Sequence, residues 1–158
     1  MPELPEVETV TQSVKKHLLG RQFKSLHLNW KKTLHNFKAS DFNRRLSNKV
    51  INNVYRRAKY ILFDLGDVIM GVHLRMTGKL YVVDCIDKNK KHVSLYLAFE
   101  DKYLVFEDIR KFGRFYMFDN MDYLDSRLGV EPLTKDFSDN WILKNIKKRN
   151  RQIKSLLL

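Results

Sequence analysis

The sequence predicts an α+β fold: an antiparallel β-sandwich with an N-terminal helix packed on it, followed by the start of a helical module. Residues 5–19 place Val7, Val10, Val14 and Leu18 three or four apart, the spacing of one buried helix face. From about residue 22 the hydrophobic period changes to two, shows again at residues 93–99, and several strands are expected up to about residue 118,. After Met121 the helical spacing returns in Ile142, Ile146, Ile153 and Leu157.

The first helix has the right ends. Pro5 suits a first turn, Glu6 and Glu8 suit the positive end of the helix dipole, and Gly20 is a stop signal,. Leu26, Leu28 and Trp30 then alternate with polar neighbours, as do Val93, Leu95, Leu97 and Phe99. Further strands are expected near 49–57, 59–65, 68–74, 79–84, 92–99, 102–107 and 113–118,. Gly66-Asp67, Thr77-Gly78 and Glu100-Asp101 supply turn chemistry, so neighbouring strands are expected to pair antiparallel as hairpins,. The last apolar stripe runs to Leu158 with no capping signal, and the expectation is a chain that stops inside a helix,.

At 158 residues with 44% hydrophobic content, the chain can bury one sizeable core but not two,. Thirty Lys and Arg against eighteen Asp and Glu give a net charge of +12. Such a balance favours a polyanionic partner, nucleic acid ahead of an anionic membrane surface. Residues 1–20 carry charges throughout, unlike a signal peptide, and no apolar run approaches the roughly 20 residues that span a bilayer,. The expectation is a cytosolic protein with no membrane partner. Cys85 is the single cysteine, so neither a disulfide nor a cysteine-based zinc site is expected within this chain,.

The basic residues are bunched. Arg44, Arg45, Lys49, Arg56, Arg57 and Lys59 form one run without an acid, and Lys144, Lys147, Lys148, Arg149, Arg151 and Lys154 form another. Either is ordinarily a solvated face; two on so basic a chain favour phosphate contact. Phosphate contacts position a duplex without reading it, so a specific task needs side chains that enter the base stack. HLRMTG (His73 to Gly78) would carry Met76 at the tip of an exposed hairpin. In DIRKFGRF (Asp108 to Phe115), Arg110 and Phe112 stand two apart, on one side of an extended chain,. Plain core packing is the competing explanation for Met76 and Phe112. Enzymes that act on a base in a duplex must extrude it and fill the gap, for which Met, Phe and Arg are suitable. The opening MPELPEVETV raises a further possibility: removal of Met1 would leave Pro2 a free secondary amine, one residue from the Glu3 carboxylate.

Five motifs in order, MPELPEVET, RRAKY (Arg56 to Tyr60), HLRMTG, DIRKFGRF and LGVEPL (Leu128 to Leu133), resemble the formamidopyrimidine-DNA glycosylase family, also called bacterial 8-oxoguanine-DNA glycosylase. The resemblance spans the whole chain, and the PELPEVE opening points to this branch rather than to the sister endonuclease VIII branch. It implies a catalytic β-sandwich domain over residues 1–127 and the beginning of a helix-two-turn-helix DNA-binding module over 128–158. The rest of that module and the family's C-terminal zinc finger would lie beyond Leu158, leaving no cofactor or metal within this chain.

The implied activity is that of a bifunctional glycosylase and AP lyase of base excision repair, acting as a monomer on damaged double-stranded DNA in the cytoplasm, at the nucleoid. Pro2 would be the nucleophile, Glu3 the acid/base, Lys59 a proton donor and phosphate contact, and Glu6 a second carboxylate. A terminal amine suits the first role: its ordinary pKa of about 7.7–8.0 leaves about a tenth of it unprotonated at pH 7, against less than about a thousandth for a lysine. Met76, Arg110 and Phe112 resemble the trio that fills the void left by the flipped base, with Arg110 on the orphaned cytosine. His73 and Arg149 match backbone-binding positions, Arg149 standing where the family often has lysine. His92 lies near a further DNA contact, whose histidine aligns with Lys90 here. Ile109 and Lys111 replace the family's usual proline and arginine, which predicts a less rigid Arg110 loop. Two other classes fit parts of the sequence: a non-catalytic DNA-binding fragment, and a tautomerase-like enzyme with a proline base, for which the two basic runs would have no use.

Overall fold

The computed structural model describes residues 1–147, 149, 150 and 152. Its backbone falls into two compact units, Met1–Asn120 and Met121–Leu158. In the first, helix α1 (Leu4–Leu18) buries Val7, Thr11, Val14 and Leu18. Thr11 can sit inside because its hydroxyl donates to the Val7 carbonyl at 2.7 Å,. Eight strands follow: β1 (Ser25–Leu28), β2 (Asn53–Arg57), β3 (Tyr60–Asp64), β4 (Ile69–His73), β5 (Lys79–Val83), β6 (Val93–Ala98), β7 (Tyr103–Glu107) and β8 (Arg114–Phe118). They form two four-stranded sheets, ordered β1-β6-β7-β5 and β2-β3-β4-β8, antiparallel throughout. The core between them takes Phe63, Met70, Val72 and Phe115 from one sheet and Leu95, Leu97, Leu104 and Phe106 from the other.

Both open sides of the sandwich are covered. Helix α1 packs on the edge strands β2 and β5, and α2 (Ala39–Arg45) packs on β1. Unpaired strand edges are thereby hidden. The short α2, with Phe42 as its buried residue, had no counterpart in the expected elements, since seven residues are too few for a period to show. Trp30 lies outside its expected strand. β1 stops at Leu28 because the next two amides, Asn29 and Trp30, both donate to the Ser94 carbonyl, at 2.9 and 3.0 Å.

Gly66-Asp67 and Glu100-Asp101 do close hairpins, β3–β4 and β6–β7. Thr77-Gly78 does not: β4 pairs with β3 and β8, β5 with β7, and the segment between β4 and β5 crosses from one sheet to the other. The β7–β8 connection also crosses. Met76 therefore sits on a sheet-crossing turn rather than at a hairpin tip.

The second unit holds a one-turn helix α3 (Asp122–Asp125) and helix α4 (Asp139–Ile146). The Ser138 hydroxyl caps α4 by accepting the Trp141 amide at 3.2 Å,. Ile142 and Ile146 of the expected stripe are half-buried on α4. Its continuation at Ile153 and Leu157, the IKSLLL segment, and the basic residues Lys148, Arg151 and Lys154 lie outside the described residues.

Candidate active site

The first turn of α1 is organised by its glutamates. The Glu3 amide donates to Glu6 Oε2 at 2.9 Å, and the Glu3 carbonyl accepts the Val7 amide at 3.0 Å, which fixes the helix start behind Pro2. Glu6 thus has a capping task. Opposite stands the β2–β3 turn, Ala58-Lys59, with Ala58 at φ +49°. Arg56 spans the gap: its Nε donates to Glu8 Oε2 at 2.8 Å and its Nη1 to the Ala58 carbonyl at 2.9 Å. With the turn held this way, Lys59 Nζ reaches Glu3 Oε2 at 3.1 Å, the lysine side chain 16% exposed and the glutamate 45%. The structure therefore brings Pro2, Glu3, Glu6 and Lys59 together, the lysine most shielded from water.

Two of the sheet-crossing segments, 74–78 and 108–113, make the second half of the site. Met76 is 41% and Phe112 47% exposed, so neither is core. The chain between Arg110 and Phe112 is not extended, because Lys111 turns it at φ +59°. The two side chains still share a side, with the Arg110 guanidinium 4.9 Å from the Phe112 ring centroid, a cation–π contact. Lys111 itself points elsewhere, its ammonium 4.3 Å from the Trp30 ring centroid. Beneath lies the buried carboxylate of Asp108, 1% exposed. Its Oδ2 accepts the Gly113 amide at 2.7 Å; its Oδ1 accepts the Thr77 hydroxyl at 2.5 Å and the Arg110 amide at 3.2 Å. The loop predicted to be slack is tied at both ends. Gly113 is required there: a Cβ at this position would lie 2.2 Å from Phe106 Cζ.

An open cavity of about 410 Å³ joins the two halves, lined by Met1, His35, Arg75, Met76, Phe112 and Arg114. His73 sits on the adjoining row of the sheet, in register with Tyr60 on one side and Arg114 on the other. Burial, with Arg75 and Lys59 nearby, pulls its pKa down from 6.5 to about 4, so the ring is neutral at pH 7. Its Nδ1 accepts the Arg75 amide at 3.1 Å, which leaves the proton on Nε2.

His92 is exposed, at φ +66°, and its carbonyl accepts the Asp108 amide at 2.9 Å. It therefore borders the Arg110 loop. Lys90 is exposed as well, but its ammonium is engaged, 3.3 Å from Glu107 Oε2 and 4.6 Å from the Tyr81 ring centroid. Hydrogen bonds to Tyr81 and Glu107 hold it above its ordinary pKa. Arg149 belongs to the second unit, exposed, its amide donating to the Ile146 carbonyl at 3.0 Å. His35, Arg75 and Arg114, which line the cavity, escaped the reading of the sequence. Arg75 and Arg114 fall within two of the motifs, but nothing in the spacing around His35 marks it.

The model for the formamidopyrimidine-DNA glycosylase N-terminal domain matches residues 1–115. The chain belongs to this family. Its full length aligns with formamidopyrimidine-DNA glycosylases of Streptococcus pneumoniae, at 36% identity, and of Ligilactobacillus salivarius, at 38%, covering 59% of each. The chain thus spans about three fifths of the length of the curated relatives it matches. Among solved structures it superposes on the Lactococcus lactis formamidopyrimidine-DNA glycosylase bound non-covalently to DNA containing an AP site, with TM-score 0.90, 30% identity, and coverage of 99% of this chain and 62% of that one. A complex of the Lactococcus lactis enzyme with FAPY-dG-containing DNA gives TM-score 0.89 at 30% identity, covering 99% of this chain and 60% of that one. The expected architecture, an N-terminal helix on two antiparallel sheets, is the one these family structures share.

Proposed function

We propose that this chain carries the base-extruding, sugar-attacking part of a DNA glycosylase and AP lyase that removes oxidised purines, formamidopyrimidine and 8-oxoguanine, from double-stranded DNA. The observation that supports this best is the shared cavity: Met1, the residue ahead of Pro2, lines it together with Met76 and Phe112. A nucleophile at the chain end and the apolar side chains suited to fill an emptied stack thus face one space.

While Met1 is attached the Pro2 nitrogen is an amide, so its removal is the first requirement. The freed secondary amine then attacks C1′ of the extruded nucleotide. The glycosidic bond breaks, the base leaves with the bonding electrons and takes up a proton, and Glu3 protonates the ring oxygen as the sugar opens. The result is an iminium on Pro2 whose fixed positive charge acts as an electron sink. Loss of a C2′ proton expels the 3′ phosphate by β-elimination, and loss of a C4′ proton expels the 5′ phosphate by δ-elimination. Lys59, 3.1 Å from Glu3, holds that carboxylate and offers a proton and a charge to the adjoining phosphate. Met76, Arg110 and Phe112 occupy the gap, Arg110 meeting the unpaired cytosine. His73 donates from neutral Nε2 to the backbone, with His92 beside it, Arg149 contributing from the second unit and Lys90 once released by Glu107.

Borohydride reduction tests the covalent step. Met1-free protein incubated with a duplex bearing 8-oxoguanine or an abasic site is expected to give a stable protein–DNA adduct; the Met1-bearing form gives none. If no adduct forms while the duplex is bound tightly, the chain is a non-catalytic DNA-binding fragment and the chemistry above is wrong.

A further inference from the structure

Met76 and the pair Arg110 and Phe112 reside on different sheet-crossing segments, about thirty residues apart in sequence; the strands pair at both ends of these segments, His73 with Arg114 and Lys79 with Glu107, but the residues between, 74–78 and 108–113, have no strand pairing with each other. One polar cluster does join them. The Thr77 hydroxyl, one residue beyond Met76, donates to Asp108 Oδ1 at 2.5 Å and accepts the Arg110 amide at 3.2 Å. Asp108 closes the circuit through the Arg110 and Gly113 amides. A carboxylate with 1% exposure that lost one of these donors would be left under-satisfied away from water, so the three bonds stand or fall as a set.

We propose that Thr77 and Asp108 are positioning residues that yoke the Met76 turn to the Arg110–Phe112 loop, so that the three exposed side chains enter a damaged duplex as one unit. The idea rests on the gap-filling role assigned above to those three. It assigns Thr77 and Asp108 no contact with DNA; they act through the loops they fasten.

The tie can be read without DNA. Thr77→Val keeps the shape and removes the hydroxyl; Thr77→Ser restores it. Hydrogen exchange followed by mass spectrometry should show the peptides covering 74–78 and 108–113 exchanging at least about tenfold faster together in Thr77→Val, both reverting in Thr77→Ser, with the β3 and β6 peptides unmoved. Acceleration of one segment alone, or of neither, overturns the yoke. Its consequence is read by binding to a duplex with a stable abasic analogue opposite cytosine against an intact duplex. In the parent chain Met76→Ala and Phe112→Ala should lower the preference for the abasic duplex non-additively, by about fivefold in a double-mutant cycle; in the Thr77→Val background that coupling should vanish. Coupling that survives Thr77→Val refutes the proposal. If Met76→Ala and Phe112→Ala leave the preference unchanged in the parent, the gap-filling role falls instead, and the exchange result still decides whether the loops are tied.

Discussion

Lys59 meets Glu3 with only 16% of its side chain exposed, whereas His73, one sheet position from Tyr60, is neutral because burial disfavours its charged form. The two should therefore differ in their response to salt. Replacing Lys59 by Ala removes a cation from the phosphate contact and is expected to flatten the slope of log affinity against log salt by about one unit. His73→Ala should weaken binding with the slope unchanged. Fluorescence anisotropy over a salt series separates them, and an equal flattening for both would mean that His73 binds as a cation. The histidine also leaves a mark on stability. Its pKa of about 4 in the folded state lies below the unfolded value of 6.5. Between those values the unfolded chain holds a proton the folded chain lacks, so stability rises with pH across that window and is lost as pH falls through it. Urea unfolding at pH 4.5 and pH 7 should show a smaller pH effect in His73→Gln than in the parent. That Pro2, Glu3, Glu6 and Lys59 belong to quoted motifs was legible beforehand, since a Pro-Glu opening and the lysine of RRAKY need no fold to be noticed. Partners were not. The link of Lys90 to Glu107 and Tyr81, for one, depends on the pairing of β5 with β7 and was invisible beforehand.

All eight strands fall within the expected segments: β1 and β6 by alternation in sequence, whereas β3, β4, β7 and β8 bury three or more consecutive residues and were legible as short apolar runs bounded by turn residues. Which strand follows which across a connection was a different matter. Thr77-Gly78 has the composition of a hairpin turn, yet a hairpin and a sheet crossing both need a tight bend and a small residue, so composition cannot separate them,. Gly78 is there because a Cβ would lie 2.4 Å from the Leu74 carbonyl oxygen. Gly113 ends the other crossing against the Phe106 ring. Gly113→Ala should destabilise the fold by about 2–3 kcal/mol through overpacking, measured by chemical unfolding, and a Phe106→Leu second substitution should recover part of the loss. Full additivity of the two would show that the ring and the glycine are not in conflict.

A net charge of +12 does not say which of the cations already have partners in the fold. In the Arg44–Lys59 run, Arg44 pairs with Asp41, Arg45 with Asp119, Lys49 with Asp67, Arg56 with Glu8 and Lys59 with Glu3. The run contains no acid because its acids come from elsewhere in the fold, which is why it looked like a bare phosphate-binding face in sequence. Arg75 and Arg114 line the cavity, Arg110 stands on the exposed loop and Arg149 in the second unit, while Lys59 would meet a phosphate from beside Glu3. With at most these five cations on phosphates, a salt slope of about −3 to −5 is expected. A much steeper measured slope would show that further cations reach phosphates on binding. Finally, because Met1 lines the same open concavity as Met76 and Phe112, any peptide joined ahead of it would start at the edge of that space and crowd it. Purification handles and fluorescent fusions belong at the opposite terminus, and a front-end handle that leaves duplex recognition untouched would mean the opening is wider than it is drawn here.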